Sequence, residues 1–132
     1  MIDFQQYSLV LEKEGQIVFS SDKSNLQPLV ECVQKYKSKL KNCSLSDKVV
    51  GLAAARLIVY SEMISFVFAG ICSESAQQYL EKNKIKIKYN LLTERILNRD
   101  KSASCPMELK AAEIKDEVEF FQFLTKKFIS SC

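Results

Sequence analysis

Residues 47–60, Asp-Lys-Val-Val-Gly-Leu-Ala-Ala-Ala-Arg-Leu-Ile-Val-Tyr, constrain the fold more than any other part of the chain. An acid and a base open the stretch, and Arg56 is its only later charge. A helix that is apolar on every side belongs inside a domain, not on its surface. The pattern therefore predicts a central helix capped by Ser46 or Asp47. Asp47 and Lys48 are then presented at the mouth of a buried element. Gly51, Ala54 and Ala55 share one face of such a helix and let another backbone approach closely.

The flanking segments supply the layers around it. Tyr7–Leu11 and Ile17–Phe19 read as strands joined by a turn at Glu12–Gly15, a hairpin. Pro28 suits a first helical turn, and Leu29, Val33, Tyr36 and Leu40 follow at helical spacing. Lys35, Lys37, Lys39 and Lys41 crowd that helix's end, where cations complement the helix dipole. Ile64–Ile71 shows no polar alternation beyond Ser65, as expected of a central strand covered on both faces. Ser73 with Glu74 then opens a helix from Ala76 to about Asn83. Ile85–Tyr89 alternates strictly, and its two lysines place it towards a sheet edge. Pro106 starts a short helix, and Asp116 with Glu119 caps a last one carrying Val118, Phe121, Leu124 and Phe128. The order hairpin–α–α–β–α–β–α indicates an α/β sandwich with a mixed sheet, one domain over residues 1–132.

Composition removes several function classes. The chain holds no histidine, so Ser-His and Cys-His nucleophile pairs are excluded, and the commonest zinc ligand is missing. Five widely spaced cysteines without a C-x-x-C pair point to reduced thiols and a cytoplasmic protein. A net charge of +3 is too small to imply nucleic acid, which is not expected as a partner. No apolar run is long enough to span a bilayer, and the first residues lack the basic region of a signal peptide.

Chemistry-bearing residues fall in three clusters. Asp47 and Lys48 open the central helix; Ser73 and Glu74 open the next. The third cluster is Asn98, Arg99 and Asp100 with Cys105, Pro106, Met107 and Glu108. Helix N-termini beside buried strands form the usual ligand crevice of an α/β sheet and favour anions. Cys105 precedes a helix-opening proline, where a thiolate would be stabilised. Glu108 is suited to pairing with Arg56 or Arg99.

The same residues resemble a known family. Asp47-Lys48-Val49-Val50-Gly51-x-Ala53-Ala54-Ala55, Ser73-Glu74-x-Ala76, and Asn98-Arg99 with Cys105-Pro106-Met107-Glu108 are similar to the DUF1893 family of uncharacterised prokaryotic proteins. The resemblance spans nearly the whole chain, although Leu52 stands where a lysine is usual and Lys101 where a glycine is common. It implies a cytidine deaminase-like fold, a three-layer α/β/α sandwich with a mixed sheet. Deaminases carry H-x-E or C-x-E on one core helix and P-C-x-x-C on the next. The corresponding positions here, Asp47-Lys48-Val49 and Cys72-Ser73-Glu74-Ser75, lack those ligands and the catalytic glutamate. Zinc-dependent deamination is thereby excluded, and no metal or cofactor is expected.

The resulting expectation is a non-zinc module that binds a nucleotide-like or other anionic small molecule. Its site would comprise Asp47, Lys48, Ser73, Glu74, Asn98, Arg99, Cys105 and Glu108. The alternatives are an enzyme with Cys105 or Asp47 as nucleophile, and a protein-interaction subunit or homodimer using the phenylalanines of the last helix.

Overall fold

The computed structural model describes residues 4–23, 26–94 and 106–128. A hairpin of β1 (Leu9–Lys13) and β2 (Gln16–Ser21) leads to α1 (Gln27–Tyr36). Then come β3 (Cys43–Val50), α2 (Leu52–Ser61), β4 (Ile64–Ser73), α3 (Glu74–Lys82) and β5 (Lys86–Thr93). Two helices, α4 (Pro106–Glu113) and α5 (Glu117–Phe128), close the described chain. The strands form one sheet in the order β2-β1-β3-β4-β5, with β3, β4 and β5 parallel and β1 antiparallel to both its neighbours. The mixed α/β architecture and the edge position of β5 agree with the sequence. The described helices, however, gather around α2 on one face of the sheet, so the expected α/β/α layering, with helices on both faces, is not found among the described residues.

The central segment differs in one respect. Residues 47–50 are not the start of the helix; they finish strand β3, and Gly51 is the N-cap of α2. Residues 43–47 alternate Cys-Ser-Leu-Ser-Asp, with Cys43, Leu45 and Asp47 buried and Ser44 exposed. This is the period-2 pattern of a strand with one covered face. Asp47 disguised it, because a carboxylate before an apolar run reads as a cap.

Beyond that shift, α2 is enclosed as expected. Residues 53–58 are all buried, Arg56 included. The sheet lies beneath α2, α1 and α3 flank it, and α4 and α5 pack over it. Arg56 fastens this cover. Its guanidinium donates to the carbonyls of Ala111 (2.6 Å), Ile114 and Lys115 (3.3 Å), and to the Glu117 carboxylate (2.9 Å). These carbonyls sit at the end of α4 and in the link to α5, where a helix leaves acceptors unpaired. Phe120 stacks under the same guanidinium, 4.3 Å from its ring centre.

Local signals behave as the sequence suggested at the other helix starts. Pro28 sits in the first turn of α1. The Ser73 hydroxyl accepts from the Ala76 N–H at the start of α3, and the Asp116 carboxylate accepts from the Glu119 N–H at the start of α5. Helix α1 ends at Tyr36, so only Lys35 of the lysine cluster stands in its last turn. Lys37 instead pairs with Glu62 and lies over the Tyr60 ring. Phenylalanines of α5 find partners within the chain: Phe120 is buried, Phe121 tilts against Tyr60 at 4.9 Å, and Lys110 lies over Phe123.

Arg56→Met leaves three carbonyls without their donor and is expected to lower stability by about 3 kcal/mol. Glu117→Gln touches a half-exposed partner and is expected to cost less than about 1 kcal/mol. Urea unfolding of both variants checks this order; equal losses would show that the ion pair, not the carbonyl contacts, holds α4 and α5.

Candidate functional site

Strands β3, β4 and β5 run parallel and end side by side, at Val50, Ser73 and Thr93. Helices α2 and α3 begin at that same edge and pack against each other. Gly51 caps α2 without a side-chain hydrogen bond, and its carbonyl accepts from the Ala55 N–H. Ser73 caps α3, and its hydroxyl lies 3.2 Å from that of Ser75. Glu74, exposed in the first turn of α3, adds a negative charge that complements the helix dipole but opposes an incoming anion.

The structure separates the first pair of expected site residues. Adjacent residues on a strand point to opposite faces. Asp47 turns into the core beneath the helices, whereas Lys48 is exposed on the other side. They cannot converge on one ligand, and Lys48 does not lie beside the Asp47 carboxyl. Ser73 and Glu74 stand at the strand edge as expected. Asn98, Arg99 and Cys105 lie outside the described residues, as does the side chain of Glu108. The carboxylate partner of Arg56 is Glu117, at 2.9 Å, a pairing the sequence did not single out.

Asp47 is the buried carboxyl near this edge, three residues before the end of β3. Burial pushes its carboxyl from 3.8 up to about 7, against hydrogen bonds from the Val49 and Lys48 backbone that pull it down. A carboxyl that holds its proton near neutral pH and faces the core is poorly suited to nucleophilic attack. Burial, then the neighbouring Cys43 and Asp47, push the Cys32 thiol up to about 12, against Lys35. Burial likewise raises Cys43, against Lys13. Cys32, Cys43 and Cys72 are buried thiols outside any disulfide, so they behave as small apolar residues. Among the described residues, no group of three Cys, Asp or Glu side chains could hold a metal ion, and no helix is long and apolar enough to cross a membrane. Helix α2 opens with Gly51, Leu52 and Ala53, whose side chains can neither ligate a metal nor move a proton.

Comparison with known proteins gives a family without an assigned activity. The model of a domain of unknown function, DUF1893, matches residues 1–128. The crystal structure of a DUF1893 family protein from Thermotoga maritima has a TM-score of 0.82 and 26% identity, covering 94% of this chain and 82% of that one. No curated protein matches the chain.

The raised Asp47 value has a definite consequence for stability. Between about 3.8 and about 7 the folded protein holds a proton that the unfolded chain releases. Stability therefore falls as pH rises through this window, by up to about 4 kcal/mol. Asp47→Asn removes the loss, so its stability gain over the parent should grow from pH 4 to pH 8. Urea midpoints at several pH values test this, and a gain independent of pH would contradict it.

Proposed function

The chain belongs to the DUF1893 family, and we propose that it is a non-zinc module binding a nucleotide-like or other anionic small molecule at the C-terminal edge of its parallel strands. The supporting observation is the junction of α2 and α3 at that edge. Two helix starts meet beside three strand ends. Each brings a positive dipole end to this edge, which suits phosphate or carboxylate. Thr93 pairs with Ser73, so β5 also ends at this edge. Arg99, singled out from the sequence, is the cation proposed for such a ligand. Asp47 takes no part in this reading, because it faces the core. The cytidine deaminase-like ancestry implied by the sequence belongs to the same proposal, with the old crevice retained and its metal chemistry absent. A cytoplasmic location fits the reduced thiols of Cys32, Cys43 and Cys72.

Calorimetric titration with cytidine monophosphate, adenosine monophosphate and inorganic phosphate tests the reading. Glu74→Gln removes an opposing charge and should tighten binding about two- to threefold, while Arg99→Ala should weaken it about tenfold or more. Failure of all three probes to bind at millimolar concentration, with no small molecule retained in native mass spectrometry, would overturn it.

A second reading, an enzyme acting through a reactive thiol, now rests on Cys105 alone. Cys32, Cys43 and Cys72 are buried, with Cys32 and Cys43 also raised, and should label slowly with iodoacetamide at neutral pH. An activated Cys105 should label far faster than Cys132. Equal rates at these two would remove the reading.

A further inference from the structure

The described helices gather over one face of the sheet, and the opposite face of β3, β4 and β5 carries an ordered set of rings and lysines. Phe66 and Phe68 lie two residues apart on β4, so both project from this face at backbone positions about 7 Å apart along the strand. In register beside them on β5 stand Lys86 and Lys88, both exposed. On the other side, β3 places only Ser44 and Ser46 opposite the same two phenylalanines. Phe4 adds a third ring, stacked parallel to Phe68 with centres 6.0 Å apart and planes within 6°. Lys48 extends the basic character onto β3.

Near Lys48 the strands change phase together. Lys48 and Val49 are both exposed, Gly70 and Ile71 both half-buried, and Asn90 and Leu91 both exposed. Val49, Ile71 and Leu91 pair across the three strands, so they form an apolar row, with Val49 38% and Leu91 57% exposed. Gly70 permits this geometry: a Cβ there would meet the Lys48 carbonyl at 2.6 Å and the Phe4 ring at 3.5 Å. At the β5 edge a shallow cavity of about 450 Å³ is lined by Phe66, Glu81, Lys84, Lys86 and Lys88, among others.

Edge-strand protection accounts for lysines on β5. It does not account for Lys48, which lies on the middle strand of the sheet, nor for half-exposed aromatic rings beside the lysines. Among the described residues, Lys48, Lys86 and Lys88 on this face outnumber Glu12, and the edge cavity adds Lys84 with Glu81, which makes the region positive. The modest net charge of the chain hides this, because acids such as Glu113 and Glu117 sit on the helical side. A partner matching the face must be anionic and must offer flat apolar groups at intervals near the ring spacing. Bases provide the flat surfaces for stacking, and phosphates provide the charge.

We propose that this sheet face binds single-stranded nucleic acid, with Phe66 and Phe68 stacking bases and Lys48, Lys86 and Lys88 holding phosphates. The proposal is independent of the small-molecule reading, which uses the strand ends.

Fluorescence anisotropy with labelled oligouridine and oligothymidine of about twelve nucleotides tests it. Binding should weaken on the order of twentyfold between about 50 and 200 mM salt if three phosphates are neutralised. The double variant K86Q/K88Q, altered only at exposed positions, should bind about tenfold more weakly or worse. Phe66→Leu keeps an apolar side chain but removes the ring, and should weaken binding severalfold at an unchanged unfolding midpoint. Lys110→Gln, on the helical side, should change nothing. Absence of oligonucleotide binding overturns the proposal, as does binding unaffected by K86Q/K88Q. Equal affinity for inorganic polyphosphate together with an unaffected Phe66→Leu variant also overturns it, leaving charge alone. Binding to anionic vesicles without binding to either oligonucleotide does so as well.

Discussion

Everything in this fold depends on covering α2. A helix with buried residues in unbroken succession needs neighbours on all sides, and the chain supplies the sheet, α1, α3, and the α4–α5 pair. Arg56 is what makes the last of these fit. A guanidinium in the middle of an apolar helix would be costly without partners, and here the carbonyls of Ala111, Ile114 and Lys115 and the Glu117 carboxylate supply them. Tyr79 on α3 feels the same group. Burial and then Glu117 push its phenol up, while Arg56 draws it down through charge and a hydrogen bond. One side chain of α2 thus touches or polarises groups on α3, α4 and α5.

Concentrating the helices around α2 has a consequence for the sheet. Its inner face is filled by Leu9, Leu11, Leu45, Val67 and Ala69. Its outer face receives no comparable helical cover from the described elements; over β3, β4 and β5 it carries serine, phenylalanine and lysine, while Val10 of β1, paired with Ser46, is buried there. The coordinated change of phase at Lys48, Gly70 and Asn90 brings a second apolar row onto that face just before the strands end. Two distinct surfaces result: the strand-end junction where α2 and α3 begin, and the broad ring-and-lysine face.

Much of this architecture can be read from the chain. The hairpin, the Pro28 start, the Ser73 and Asp116 caps and the edge strand at Lys86 all follow local chemistry that tertiary contacts left intact. Strand β3 was concealed because its inward positions are Cys43, Leu45 and Asp47, and a buried acid resembles a cap when the covering helix is unknown. That single ambiguity also set Asp47 and Lys48 together on one helix end, whereas they occupy opposite faces of a sheet. The ring-and-lysine face was not legible either. It depends on which residues of β3, β4 and β5 stand in register, which no local pattern specifies. Conversely, the role of Arg56 could be suspected from one charge inside an apolar run, but its carbonyl partners lie more than fifty residues away.

Helix α2 is the enclosed hub on which the remaining elements are assembled. Hydrogen exchange followed by mass spectrometry tests it most directly. Amides of residues 55–61, hydrogen-bonded within α2, should exchange only through global unfolding and share the highest protection with the middle of β4. Helices α4 and α5, held over α2 largely by Arg56, should open at lower free energy and expose α2 only in part. If α2 exchanged faster than α3 or α5, the helix would not be the hub, and the account would be contradicted.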